Sequence, residues 1–192
     1  MEALLVSTGV VALAEIGDKT QLLAFLLAAR FKKPMPIILG ILVATLANHG
    51  LAGALGVWIT SLVSQDVLRW VLGISFIAMA AWMLVPDQIE EDGDELGRGR
   101  GVFTATLVAF FLAEMGDKTQ IATVAMAARF TDAIWVVVGT TLGMMLANVP
   151  AVLLGDKLAG RIPMKLVHGI AAAIFALLGL ATLLGAGQAW GF

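Results

Sequence analysis

The sequence predicts an all-α integral membrane protein, with six transmembrane helices arranged as two inverted three-helix repeats. Three observations lead there. Six apolar stretches have the length that crosses a bilayer, about 20 residues each. Charge is sparse: 14% of residues are charged and 60% hydrophobic, against about 25% charged in an ordinary soluble domain. One nine-residue stretch also occurs twice. Leu13-Ala14-Glu15-Ile16-Gly17-Asp18-Lys19-Thr20-Gln21 returns 99 residues later as Leu112-Ala113-Glu114-Met115-Gly116-Asp117-Lys118-Thr119-Gln120, with eight of nine positions identical.

The first predicted span covers residues 3–29 and carries the first motif near its midpoint; residues 36–61 and 67–85 form the second and third. Residues 86–100 hold six acids, two arginines and several glycines, the composition of an exposed tether. Residues 102–128, 133–154 and 164–185 then repeat the order, with the second motif in the middle of the fourth span. The repetition extends beyond the motif. Ala28-Ala29-Arg30-Phe31 recurs as Ala127-Ala128-Arg129-Phe130, and Leu46-Ala47-Asn48 as Leu146-Ala147-Asn148. The chain therefore divides into a first three-helix repeat (1–86), an acidic linker (87–100) and a second three-helix repeat (101–192). An odd number of spans per half makes the second half enter from the opposite side, which is inverted topology.

Basic residues set the orientation. Arg30, Lys32, Lys33, Arg98, Arg100, Lys157, Arg161 and Lys165 fall on the face of the first, third and fifth connections; the other face has Arg69 and Arg129. The first face is therefore expected in the cytoplasm with the acidic linker, and both termini outside. Trp58, Trp70, Trp135 and Trp190 fall near outer helix ends and Trp82 near an inner one, the positions of an interfacial belt. Gly139 with Gly143, and Gly53 with Gly56, are spaced for close helix packing.

Several function classes drop out. A net charge of −2 gives nucleic acid no electrostatic purchase. The absence of cysteine excludes disulfides, thiolate metal sites and cysteine nucleophiles. The two histidines, His49 and His168, are too few for a zinc site built on imidazoles. No nucleophile–base constellation or cofactor motif stands out, so neither an enzyme nor a bound cofactor is expected. Met1-Glu2-Ala3 offers no basic n-region, so no cleaved signal peptide is expected.

The motif carries the chemistry. Two carboxylates and a lysine in the middle of an apolar run cost about 2.5–3.5 kcal/mol each on insertion scales, so such residues mark functional sites. Read as continuous helix, Glu15 and Asp18 share one face, as do Glu114 and Asp117. Gly17 admits a close neighbour or loosens the helix and frees carbonyl oxygens. Inverted repeats bring equivalent helices together at the bilayer centre, so Glu15, Asp18, Glu114 and Asp117 are expected to converge. Four carboxylates cannot all stay ionised in a low-dielectric site without a cation, protons or the lysines. Lys19 is spaced to pair with Glu15 and Lys118 with Glu114, or to reach toward an interface. Four acids and two lysines sum to −2, which one divalent cation neutralises. Oxygen ligands suit calcium and manganese. Thr20, Thr119, Gln21 and Gln120 add neutral oxygens, and Asn48 and Asn148 flank the site or bond between helices. Met115, Met144 and Met145 read as packing. His49, with Val149 at its equivalent place, reads as a polar packing residue or a proton relay.

The doubled Glu-x-Gly-Asp-Lys-Thr motif, at Glu15, Gly17, Asp18, Lys19 and Thr20 and at Glu114, Gly116, Asp117, Lys118 and Thr119, resembles the GDT family of manganese and calcium transporters. Its bacterial members include manganese exporters of the MneA type. The resemblance covers nearly the whole chain, including the helix count and the acidic linker. It implies cation/proton antiport, with acids of both motifs binding the metal. A compact chain without a targeting extension points to Mn²⁺ export across a bacterial inner membrane, with Ca²⁺/H⁺ antiport and a passive divalent-cation channel as the alternatives. The expected partners are a divalent cation, protons and the lipid bilayer.

Overall fold

The computed structural model describes residues 1–84, 101–154 and 164–185. The acidic linker, Lys157, Arg161 and Trp190 lie outside the described residues. The described chain is all-helical, with eight helices: α1 (Glu2–Glu15), α2 (Lys19–Phe31), α3 (Pro34–Leu62), α4 (Gln65–Trp82), α5 (Val102–Glu114), α6 (Lys118–Arg129), α7 (Ala133–Leu154) and α8 (Met164–Leu183). Two of them, α3 and α7, are individually long and apolar enough to cross a membrane.

The expected continuous helices over 3–29 and 102–128 are each broken at the motif. Helix α1 ends at Glu15, and Ile16 turns extended at φ −66° and ψ 113°. Gly17 then sits at φ 85°, and Asp18 caps α2. The second half repeats the break, with Met115 extended, Gly116 at φ 76° and Asp117 capping α6. Positive φ is the reason for the glycine, since a residue with a Cβ is strained there. Each break also satisfies its own freed amide. The side-chain oxygen of Gln21 accepts the Gly17 N–H at 2.8 Å, and that of Gln120 accepts the Gly116 N–H at 2.7 Å. Glu15 and Asp18 therefore lie on opposite sides of a break rather than along one helical face, and so do Glu114 and Asp117.

The helices pack across the halves. Helix α1 lies mainly on α7, α5 on α3, and α4 on α8, while α3 also takes α6, and α7 takes α2. Small residues set these distances. A Cβ on Gly139 would lie 2.7 Å from the Leu4 carbonyl, and one on Gly143 2.7 Å from the Thr8 carbonyl and 2.8 Å from the Ala12 amide. The expected close packing at this pair is present. Gly56 serves α6 likewise, facing the Val124 carbonyl at 2.5 Å. Contacts climb together along α1 and α7, so these two run parallel. Gly40 against Phe103 and Thr106, and Asn48 against Phe111, make α3 and α5 parallel as well. Gly73 meets Leu183 while Ile77 meets Gly179, so α4 and α8 run antiparallel.

Polarity is inside out. The buried set includes Glu15, Asp18, Asn48, His49, Glu114, Asp117 and Lys118, whereas Leu5, Leu51, Trp58, Trp70, Ile134 and Leu177 are among the large apolar side chains facing outward. Apolar exteriors of this extent mark a membrane or an interaction surface. Trp82 and Trp135 are also exposed, as an interfacial belt requires.

Two glycines separate backbone strain from steric exclusion. A Cβ on Gly116 meets nothing within 4 Å, so Gly116→Ala is expected to cost about 1–2 kcal/mol from the positive φ alone. Gly143→Ala drives a Cβ into backbone atoms of α1 and is expected to cost more, about 1–3 kcal/mol with displacement of the helix. Unfolding midpoints in detergent should fall in that order.

Candidate metal centre

The site is assembled at the two breaks. Glu15 is the last residue of α1 and Glu114 the last of α5. Lys19 and Lys118 are the first residues of α2 and α6. A carboxylate at a helix C-terminus and a lysine at an N-terminus both oppose the helix dipole. Local helix stability therefore does not account for the charges. Only Asp18 and Asp117, at the N-caps, lie where the dipole favours them.

The motifs lock to one another. Lys19 Nζ is 2.9 Å from Asp117 Oδ1, and Lys118 Nζ is 3.4 Å from Asp18 Oδ1. These pairings replace the expected pairs Lys19–Glu15 and Lys118–Glu114. With the helix broken between acid and lysine, the spacing of four no longer places them side by side, and each lysine reaches the other motif's aspartate. The two pairs differ in setting: Lys118 is buried, while Lys19 retains 32% exposure.

The glutamates keep only neutral partners within their motifs. The Thr20 hydroxyl donates to Glu15, and the Thr119 hydroxyl donates to Glu114. The second oxygen of each, Oε1 of Glu15 and Oε2 of Glu114, is buried without a hydrogen-bond partner among the described residues. One carboxylate oxygen each from Glu15, Glu114 and Asp117 lie within 4.8 Å of one another. Two oxygens about 2.4 Å from a shared ion, a calcium-like distance, lie up to about 4.8 Å apart. The three acids can therefore share one divalent cation, while the lysine of the second motif engages Asp18.

The flanking residues are brought in unequally. Gln120 donates to the side-chain oxygen Oδ1 of Asn48, and Asn48 Nδ2 donates to the Phe111 carbonyl at 3.2 Å. Gln21 donates instead to the Ala147 carbonyl at 3.1 Å. Pro150 lies within α7 and has no N–H to offer the carbonyl one turn earlier, so this turn carries an incomplete ladder. Asn148 Nδ2 donates to the Met144 carbonyl at 3.0 Å, leaving its own Oδ1 buried and unpartnered among the described residues. Met144 is buried in one apolar cluster, Met145 packs against the other, and Met115 is exposed. His49 is drawn closer than its sequence position reveals, with Nε2 3.9 Å from Glu114 Oε1. Its place directly after Asn48, a residue expected to flank the site, is the signal that could have found it.

A separate cavity of about 440 Å³ opens where the ends of α3, α6 and α8 meet the start of α4, lined in part by Thr60, Gln65, Arg69, Arg129 and Thr182. Helix α6 runs from Lys118 at the acids to Arg129 at this cavity, a length of about 18 Å.

Discontinuous helices that present ionisable residues at their break recur in secondary transporters. The chain matches the family described as "Divalent cation/proton antiporter GDT1" twice, over residues 3–91 and 102–190, and it belongs to that family. It is 55% identical over 183 residues to a Vibrio cholerae protein named "Putative manganese exporter", covering 95% of this chain and 90% of that protein. It is 30% identical to GDT1-like protein 3 of rice (91% of this chain, 71% of that protein) and 29% identical to a GDT1-like protein of Synechocystis (86% and 88%). No solved structure matches the chain.

The unequal burial of the two ion pairs has a measurable consequence. Lys118→Met leaves a buried aspartate without its cation and is expected to cost about 3–5 kcal/mol. Lys19→Met also strands a buried aspartate, Asp117, but removes a lysine that is partly solvated, so it is expected to cost less than Lys118→Met. Chemical unfolding in detergent distinguishes the two, and Asp18→Asn added to Lys118→Met should recover part of the loss.

Proposed function

We propose that this chain is a secondary active transporter. It exports a divalent cation, Mn²⁺ first among them, from the cytoplasm in exchange for protons. The observation that carries the proposal is the meeting of Glu15, Glu114 and Asp117 from both motifs within 4.8 Å at two helix breaks. With the lysines engaging the aspartates, the two glutamates are the pair that one divalent cation neutralises. Protons compete for the same carboxylates, and the empty, fully ionised site is the least favourable state. Metal and protons therefore replace one another, which is the coupling an antiporter needs.

The proposed architecture is six spans in two inverted repeats, residues 1–86 and 101–192 around the linker 87–100. Helices α1 with α2, and α5 with α6, each form one broken span; the half-helices, of 14, 13, 13 and 12 residues, rise about 18–21 Å each and do not cross a bilayer alone. Parallel α1–α7 and α3–α5 packing and antiparallel α4–α8 packing support alternating spans. The repeated family match at 3–91 and 102–190 supports the duplication. Broken helices at the centre of inverted repeats are a recurrent way to build ion sites, and rocking of one bundle against the other exposes the site alternately. In this arrangement the membrane is the bacterial inner membrane, the linker and its basic neighbours are cytoplasmic, and both termini are outside. The Arg69–Arg129 cavity then marks the outer mouth. Calcium is the second reading, because the three carboxylates offer only oxygen.

Mn²⁺ uptake into inside-out vesicles carrying a pH dye tests the proposal. Glu15→Gln and Glu114→Gln are each expected to reduce flux more than about 100-fold, and Thr20→Val, which only supports a ligand, by about 10–100-fold. Wild-type flux in Glu114→Gln would remove the shared site; Mn²⁺ flux without proton counterflow would remove antiport. Mn²⁺ affinity should fall as pH falls, because each proton bound to a ligand must be released. Calorimetry across the acid range reads that slope directly.

A further inference from the structure

We propose that His49 is a ligand of the transported ion, supplying a nitrogen donor to the carboxylate site and favouring transition-metal dications such as Mn²⁺ over Ca²⁺. The inference rests on the carboxylate site described above and adds a specificity-determining residue to it.

The imidazole of His49 is completely buried in α3, and neither Nδ1 nor Nε2 has a hydrogen-bond partner among the described residues. Buried polar groups are normally partnered, and an exception calls for an explanation such as an ion. The nearest charged atom gives the direction: Nε2 is 3.9 Å from Glu114 Oε1. That separation is too long for a hydrogen bond. It suits two ligands of one metal, because atoms about 2.1 Å from a common ion lie roughly 3.0–4.2 Å apart at angles from 90° to 180°. Glu114 is itself one of the three converging acids; His49 stands beside that 4.8 Å cluster rather than inside it, so sharing the ion requires the imidazole to move inward. The turn of α3 that presents His49 is held from the other half, since Asn48 accepts from Gln120 and donates to the Phe111 carbonyl.

Chemistry then separates the ions. Calcium and magnesium take oxygen ligands, whereas imidazole nitrogen suits the first-row transition metals, most strongly zinc, copper, iron and nickel; Mn²⁺ stands lowest in that series and gains least from the nitrogen, but gains more than Ca²⁺. Carboxylates alone admit both groups; one imidazole shifts the balance. The second half has Val149 at the equivalent position, so the nitrogen comes from one side of a duplicated site.

The test uses the full chain in detergent, loaded with Mn²⁺ and examined by pulsed electron paramagnetic resonance. Nitrogen modulation of the Mn²⁺ signal is expected in wild type and in His168→Gln, and is expected to disappear in His49→Gln. An oxygen-only spectrum in wild type, or modulation that survives His49→Gln, overturns the proposal. By calorimetry, His49→Gln and His49→Val should weaken Mn²⁺ binding about 10–100-fold, as loss of a supporting metal contact does, with Ca²⁺ affinity unchanged. Retained Ca²⁺ binding reports an intact fold, and an equal loss for both ions overturns the proposal. Failure of the underlying site has a different signature: wild type binds no Mn²⁺, or Glu114→Gln binds it undiminished.

Discussion

Reciprocal pairing of buried charge governs this structure. Removing an ion from water costs several kcal/mol even after relaxation, and here six ionisable groups converge at two helix breaks. The lysine of each motif engages the aspartate of the other, at 2.9 and 3.4 Å. Neither half can therefore neutralise its own motif, and the halves are fixed in register by the same contacts. The glutamates lie outside this exchange, with a threonine hydroxyl each. Their remaining charge is what a cation would relieve in the proposed site, where binding and stability would draw on the same interaction.

The duplication is imperfect where it matters chemically. Asn48-His49-Gly50 in α3 answers to Asn148-Val149-Pro150 in α7. On one side a glutamine bonds an asparagine and an imidazole approaches a carboxylate. On the other, the matching glutamine takes a backbone carbonyl near a proline, and the asparagine oxygen has no partner among the described residues. Two copies of one motif thus enclose a site with chemically distinct walls.

Much of this was legible in the residues. Sparse charge, long apolar runs and a motif repeated at a fixed interval indicate a helical membrane chain and direct attention to Glu15, Asp18, Glu114 and Asp117. The close packing at Gly139 and Gly143 follows from their spacing. The helix breaks were less legible. Apolar periodicity runs through Ile16 and Met115 without interruption, and a glycine inside such a run reads equally as a packing position. The positive φ is held by the bond between each glycine N–H and the glutamine four residues on, a contact that pattern reading does not weigh. Once the breaks are missed, the lysine pairings go wrong too, because the spacing of four that joins Lys19 to Glu15 exists only in an unbroken helix. His49 was hidden for another reason: its neighbour Glu114 is contributed by the other half of the chain.

The interleaving of the halves bears on how the protein is made. Among the described residues, the substantial contacts between helices of the same half are α2–α3 and α6–α7; α1 waits for α7, α3 for α5 and α6, and α4 for α8. During synthesis α1 to α4 therefore emerge with Glu15, Asp18 and Lys19 already in hand and no opposite motif to receive them. The contacts that enclose the motifs are completed only when the helices of the second half arrive.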